Sequence, residues 1–302
     1  MTPLTVQLDW KPNAQFAGLL LAEQLGWYRQ AGLDLTIVPW QSHTNPVQAL
    51  DRAPNVIAST EDNLLIQARA AGKPFKAIGV MMQYSGIGWM ALAASGIRSV
   101  RDFKGKRIGI HGDGATALQI ALSQAGLSRT EVEVVDVGFN YDELLQSGDF
   151  DAIQCFVIVE PLELAAKGFE LTVIPAYESG YLVYSQVLAT TEQLITSEPD
   201  ALTRFLKVSF DGWRQALQTP QAVGQLIAQH YLPEADPVLQ QQMLVAMQPI
   251  LCGEVGLERL GWMEARRWQQ SIDYLLAEGI ITQPLPPAEV MTEKLIEAAY
   301  AE

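Results

Sequence analysis

The chain has 302 residues, 49% of them hydrophobic, with 34 acidic against 20 basic side chains and a net charge of −14. That length suffices for two domains with real cores. No basic cluster or stripe offsets the acidity, which argues against nucleic acid and against direct membrane insertion, and favours a neutral, zwitterionic or cationic small-molecule ligand. The two cysteines, Cys155 and Cys252, and the three histidines, His43, His111 and His230, form no metal-ligand spacing. No metal and no cofactor is expected, and the cysteines read as buried free thiols, with a disulfide between them as the alternative. The sequence shows neither a run of eighteen apolar residues nor a basic region leading into an apolar one. Localisation stays open: periplasmic or lipid-anchored if a signal has been trimmed, cytoplasmic otherwise.

In chain order, Thr5–Trp10 alternates as a half-buried strand does, and Pro12 and Asn13 break it. A helical pattern runs from Phe16 through Leu19, Leu20, Leu25 and Tyr28 to Gly32, and Leu33–Val38 is a second strand. Each strand runs into an indole, Trp10 and Trp40. In a parallel βαβ unit both would lie on one sheet edge, where open α/β folds bind ligands. The polar loop QSHTNP follows, then a helix over 46–51, a strand over 55–59, a helix over 61–71 and a strand over 74–81. This alternation predicts a mostly parallel sheet covered by helices.

A second α/β block follows. Its strands are read at 89–93, 107–111, 132–137, 150–157 and 171–175, with helices at 99–103, 117–125, 140–147 and 160–167. After a strand over 186–190 the chain turns helical, over 199–218, 220–231, 237–247, 261–278 and 287–299, several of these beginning at proline. A chain that makes one α/β domain, crosses to another and crosses back has two connections, read at 84–88 and 180–186. The expected domains are 1–86, 87–184 and a return segment 185–302, with a hinge at the crossovers and a ligand cleft between the two bodies.

Three groups of residues could carry chemistry. GDGATA, from Gly112, follows a strand and opens a helix, so Gly112, Gly114, Ala115 and Thr116 could hold a carbonyl or anion on backbone amides. The same segment fits G-x-G-x-x-A, with Asp136 ending the next strand. A dinucleotide-binding enzyme is therefore an alternative, although only two further strands follow where a second mononucleotide half is needed. Glu61 and Glu160 open helices, where the helix dipole alone accounts for an acid; either could also accept hydrogen bonds from an amino-bearing heterocycle. Of the aromatics, Trp10 and Trp40 are singled out to stack on a ligand, with Tyr84 and Tyr184 at the crossovers. No nucleophile motif, P-loop or H-E-x-x-H is present, and His111 has no evident partner.

The opening LDWKPNAQFAGLLLAEQLGWYRQAGLDLTIVPW resembles the W-x-P-N-x-x-H-x-G-L-x-x-A opening of the bacterial thiamine-precursor binding proteins and the fungal thiamine-pyrimidine synthases. GIRSVRDFKGKRIGI is similar to that family's G-I-x-S-x-x-D-L-K-G-K-x-I-G, and VDVGFNYDELLQSGDFDAI and VEP to two further blocks. The resemblance covers roughly the first 220 residues. It implies a type II periplasmic-binding-protein fold: α/β, with two lobes joined by a double-crossover hinge and a helical C-terminal tail. It also implies a solute-binding protein for a formylaminopyrimidine- or hydroxymethylpyrimidine-like heterocycle, delivered to an ABC transporter permease if the protein is exported. A cytoplasmic sensor, carrier or enzyme of cofactor metabolism on the same fold is the alternative.

Ser59 and Asn63 stand near where the synthase branch carries a lysine for pyridoxal phosphate and a histidine consumed as substrate. The iron-binding cysteine run is absent too, so no enzyme of that kind is expected. Phe16 replaces the opening histidine, and Phe156 and Ile158 replace the aromatics before the Glu-Pro, which implies a more apolar wall. The expected ligand contacts are thus Trp10, Asn13, Phe16, Trp40, Glu61, Tyr84, Gly112, Gly114, Ala115, Thr116, Phe156, Glu160 and Tyr184, with no catalytic residue.

Overall fold

The computed structural model describes residues 1–41 and 45–301, without the side chain of Asp113; His43 and the middle of its polar loop lie outside the described residues. The chain forms two compact units. Unit 1 comprises residues 1–84 and 183–302, and unit 2 residues 85–182.

Along the chain the elements are β1 (Thr2–Gln7), α1 (Ala17–Gln24), α2 (Trp27–Gln30), β2 (Leu33–Val38), β3 (Val56–Thr60), α3 (Asp62–Ala70), β4 (Phe75–Met82) and β5 (Ile87–Leu92). Next come β6 (Arg107–Ile110), α4 (Ala115–Gln124), β7 (Glu133–Asp136), α5 (Tyr141–Ser147), β8 (Ala152–Phe156), α6 (Glu160–Ala166), β9 (Leu171–Pro175) and β10 (Ser185–Thr191). The remainder is helical: α7 (Glu192–Ser197), α8 (Pro199–Gln218), α9 (Pro220–His230), α10 (Pro237–Cys252), α11 (Ala265–Ala277), α12 (Pro287–Val290) and α13 (Lys294–Tyr300).

Both units use one topology. The sheet of unit 1 runs β2-β1-β3-β10-β4 and that of unit 2 runs β7-β6-β8-β5-β9. In each, the fourth strand is antiparallel to both neighbours, and the pairs β1–β2, β1–β3, β6–β7 and β6–β8 are parallel. The reversed strand is in each case the one made directly after the chain enters that unit. A mostly parallel sheet was expected, and the difference lies in these two entering strands.

Several boundaries differ from the periodicity. β1 begins three residues earlier than the alternation indicates and stops before Trp10, because Asp9 bends the chain once the Leu8 N–H has bonded the Val38 carbonyl at 2.9 Å. The helix at Phe16 is preceded by a 3-10 turn over Ala14–Phe16, capped by the Asn13 side chain, whose Oδ1 accepts the Gln15 N–H. α10 continues past Met247 to Cys252 with Pro249 inside it. Proline there gives up the hydrogen bond to the Val245 carbonyl and sets its ring against that oxygen.

The core of unit 1 gathers Val56, Ala58, Leu65 and Phe75 with Tyr184, Val187, Trp268 and Ile272, so the tail helices cover the sheet that the first 84 residues begin. On the other side α1 crosses α8. Gly18 leaves room for the Trp213 indole, and a Cβ on Gly212 would overlap the Gly18 carbonyl oxygen and press the Ala22 methyl at 3.0 Å. Unit 2 has a smaller core of Met90, Ile153, Cys155, Leu145 and Leu164. Among the described residues no helix is long and apolar enough to cross a membrane.

Candidate functional site

The parallel strands of unit 1 all end on one edge, and the reversed β10 begins there, since Val187 pairs with Thr60 and Ser185 with Met82. That edge therefore collects the residues after β1, β2, β3 and β4 and the first residues of β10. Trp10 and Trp40 lie side by side on it, with ring centroids 5.0 Å apart and planes tilted by 33°; the Trp40 N–H donates to the Trp10 carbonyl at 3.2 Å. Two indoles this close cannot sandwich a third ring; they form one half-buried wall.

Polar groups line the same edge. Asp9, the residue before Trp10, accepts the Ser59 hydroxyl at 3.0 Å. Its carboxyl is pushed up to about 6 by burial, against the lowering pull of its hydrogen bonds. Asn13 is buried, and its Oδ1 is held by the Gln15 N–H at 3.0 Å, so any ligand contact falls to its Nδ2. Glu61 Oε1 accepts the Ser185 hydroxyl at 2.6 Å. Asp62, wholly buried at the start of α3, accepts the Ser271 hydroxyl at 2.6 Å and is likewise raised to about 6 by burial.

Two expected contacts sit in the interior. Phe16 is 0% exposed, and so is Tyr184, which belongs to the core cluster. The Tyr184 hydroxyl accepts the Glu264 N–H at 2.9 Å. The Arg267 guanidinium lies 4.0 Å from the Tyr184 ring centre and 5.4 Å from that of Tyr84, and donates to the side chain and carbonyl of Gln83. Tyr84 and Tyr184 thus bracket an arginine where the chain leaves and re-enters unit 1. The sequence assigns both tyrosines to a ligand; here both pack on the arginine, and the side chains of Phe16 and Tyr184 are buried.

Unit 2 has a corresponding edge. Gly112 to Gly114 form a single 3-10 turn and α4 starts at Ala115, two residues before the expected Ala117. The Gly114 N–H donates back to the His111 carbonyl at 3.0 Å and is not available to a ligand; the exposed Ala115 and half-buried Thr116 carry the first-turn amides. Gly114 is required there because a Cβ would overlap the Gln154 amide, whose oxygen accepts the His111 N–H at 2.8 Å. Phe156 is half-buried, with its ring against Gly86. Glu160 is buried and its Oε2 accepts the Phe156 N–H at 2.6 Å, so one carboxylate oxygen is spent on its own strand end. Burial, and then the Glu160 charge, hold the Cys155 thiol protonated.

His111 does have partners. Its Nδ1 must carry the proton, because it faces the Val137 carbonyl at 3.0 Å, and Nε2 then accepts the Tyr141 hydroxyl at 2.8 Å. The exposed Phe139 ring stacks on the imidazole at 4.4 Å. The dinucleotide alternative does not survive the strand order. After the glycine loop the next strand lies on one side of β6 and the following one on the other, whereas a dinucleotide fold continues outward on one side before crossing. Among the described residues no group of histidine, cysteine and acidic side chains could hold a metal ion.

Residues 13–223 match the family model described as NMT1/THI5 like. The chain belongs to the NMT1/THI5-like family. Within reach of this NMT1/THI5-like chain is a riboflavin-binding protein of Chloroflexus aurantiacus, 25% identical over 97% of this chain and 86% of that protein. A formylaminopyrimidine-binding protein of Halalkalibacterium halodurans is 25% identical over 93% of this chain and 86% of its own length. Among solved structures, the periplasmic aliphatic sulphonate binding protein SsuA of Escherichia coli superimposes with a TM-score of 0.76 at 17% identity, covering 97% of this chain and 92% of that one. That likeness establishes the fold: two α/β units with the architecture of periplasmic solute-binding proteins.

Three residues of this NMT1/THI5-like edge escape the sequence reading: Asp9, Gln15 and Gln186. Asp9 had a signal to follow, its place directly before Trp10 at a strand end. Gln186 was not, because its backbone conformation has no signature in a single sequence.

Proposed function

We propose that this protein is a solute-binding protein, not an enzyme, that holds a small planar nitrogen heterocycle at the carboxyl edge of unit 1. The preferred solute is an amino-bearing pyrimidine of the thiamine-precursor kind. The carrying observation is the wall made by Trp10 and Trp40, 5.0 Å apart, with the half-buried carboxylate of Asp9 directly before Trp10. A flat apolar surface beside a hydrogen-bond acceptor suits a ring that is apolar on its face and a donor on its rim.

The family supports this reading, since two of its members are named for binding heterocycles. Ser59 and Asn63, standing near where the synthase branch carries its lysine and histidine, support the absence of that branch's catalysis. Delivery to an ABC permease outside the cytoplasm completes the proposal.

Isothermal titration with thiamine pyrimidine precursors and with riboflavin tests it. A precursor is expected to bind, and Trp10→Ala to weaken it about 10- to 30-fold, the loss of one stacking face and its buried area. Unchanged affinity in Trp10→Ala would remove the indole wall from the site. Binding of riboflavin alone would replace the pyrimidine by a flavin.

A further inference from the structure

We infer that Gln186 is a specificity-determining residue of the unit 1 site, its side-chain carbonyl accepting a hydrogen bond from an N–H of the bound heterocycle. The inference rests on the heterocycle reading of that edge. Gln186 is 1% exposed and has φ +47°, the one non-glycine with a left-handed φ among the described residues. A long side chain is held there only against strain, and such strain gathers where function requires a particular placement.

The orientation of its amide is fixed by its neighbours. One Nε2 hydrogen is donated to Gln15 Oε1 at 3.1 Å, and the Gln186 amide also hydrogen-bonds the Asp9 carboxylate. Both neighbours accept, so the amide nitrogen faces them and the oxygen is turned away. That oxygen is buried and has no hydrogen-bond partner among the described residues. Protein interiors rarely leave a buried acceptor unsatisfied. A methionine would fill the same space with no orphan oxygen, and a glycine would hold the backbone without strain. The site keeps neither, and a donor on the solute accounts for both costs at once.

The chemistry of the solute follows. Asp9 and the Gln186 carbonyl are two acceptors on one edge, and they fit the two hydrogens of one exocyclic amino group. An imide edge presents a single N–H between two carbonyls, which sets oxygen against oxygen here. The pair therefore selects aminopyrimidines over flavins and uracil-like rings, and the net charge of −14 does not oppose a protonated one.

The test is titration of wild type and Gln186→Met with 4-amino-5-hydroxymethyl-2-methylpyrimidine and with its analogue bearing methyl in place of the amino group. Wild type is expected to bind the amino compound at least tenfold more tightly than the methyl analogue. Gln186→Met should lose about tenfold for the amino compound and bind the methyl analogue as wild type does. Gln186→Gly, which removes the strain and the carbonyl together, should show the same selective loss. If either variant binds the amino compound as wild type does, or loses both compounds equally, Gln186 does not read the solute. If wild type binds neither pyrimidine, the heterocycle reading falls, and the inference with it.

Discussion

Gly212→Ala is expected to destabilise unit 1 by about 3 kcal/mol, at the upper end of what one added methyl group costs in a packed interior. The added carbon would meet the Gly18 carbonyl oxygen, and backbone cannot swing aside as the end of a side chain can. The only relief is to move α1 away from α8, and that withdraws the Trp213 indole from Gly18, a fully buried ring. Urea denaturation followed by tryptophan fluorescence reads this directly, because Trp89 alone of the seven tryptophans lies in unit 2. The fluorescence midpoint should fall while unit 2, followed by hydrogen exchange, keeps its own. An unchanged midpoint would mean that the two helices have slack that their close approach does not suggest.

Asp62→Asn is expected to stabilise unit 1 at pH 7.5 and to leave it nearly unchanged at pH 4. Burial raises the carboxyl of Asp62 from 3.8 to about 6, so the native state holds this proton more tightly than the unfolded chain does. Stability then falls as pH rises between about 4 and 6, and the cost is complete above pH 6. A shift of about two units corresponds to roughly 3 kcal/mol at most. Asparagine keeps an oxygen for the Ser271 hydroxyl and carries no charge to bury. Thermal melts of both proteins across this pH range should diverge as pH rises above about 4. Parallel curves would show that Asp62 is compensated in the native state, with Arg267, whose charge already favours its ionised form, as the group responsible.

Much of the fold was legible because its signals are local. Alternation, helical spacing and the glycines that stop helices are written in neighbouring residues, and the change from α/β to helix after residue 190 is a change of composition and period. The pairing of β10 between β3 and β4 was not legible, since strands distant in sequence carry no mark of register. The site divides in the same way. Trp10 and Trp40 could be placed from their position after two strands of one βαβ unit. Tyr184 also looked like an edge aromatic, and only packing shows it beneath Arg267 in the core. His111 gained its partners from residues 26 and 30 positions away. Gln186 depended on a backbone angle, which a single sequence does not record.

The sheet order of unit 1 bears on how the protein is made. β4 lies at the edge of its sheet beside β10, its one strand neighbour among the described residues, and β10 begins at Ser185, after the whole of unit 2 has been translated. A nascent chain ending before that point can pair β2, β1 and β3, but β4 has no native partner and α11 is not yet there to cover the sheet. Unit 2 is contiguous and has all its strands once residue 175 is made. Assembly on the ribosome is therefore ordered inside out: the inserted unit can close first, and the unit that starts the chain closes last.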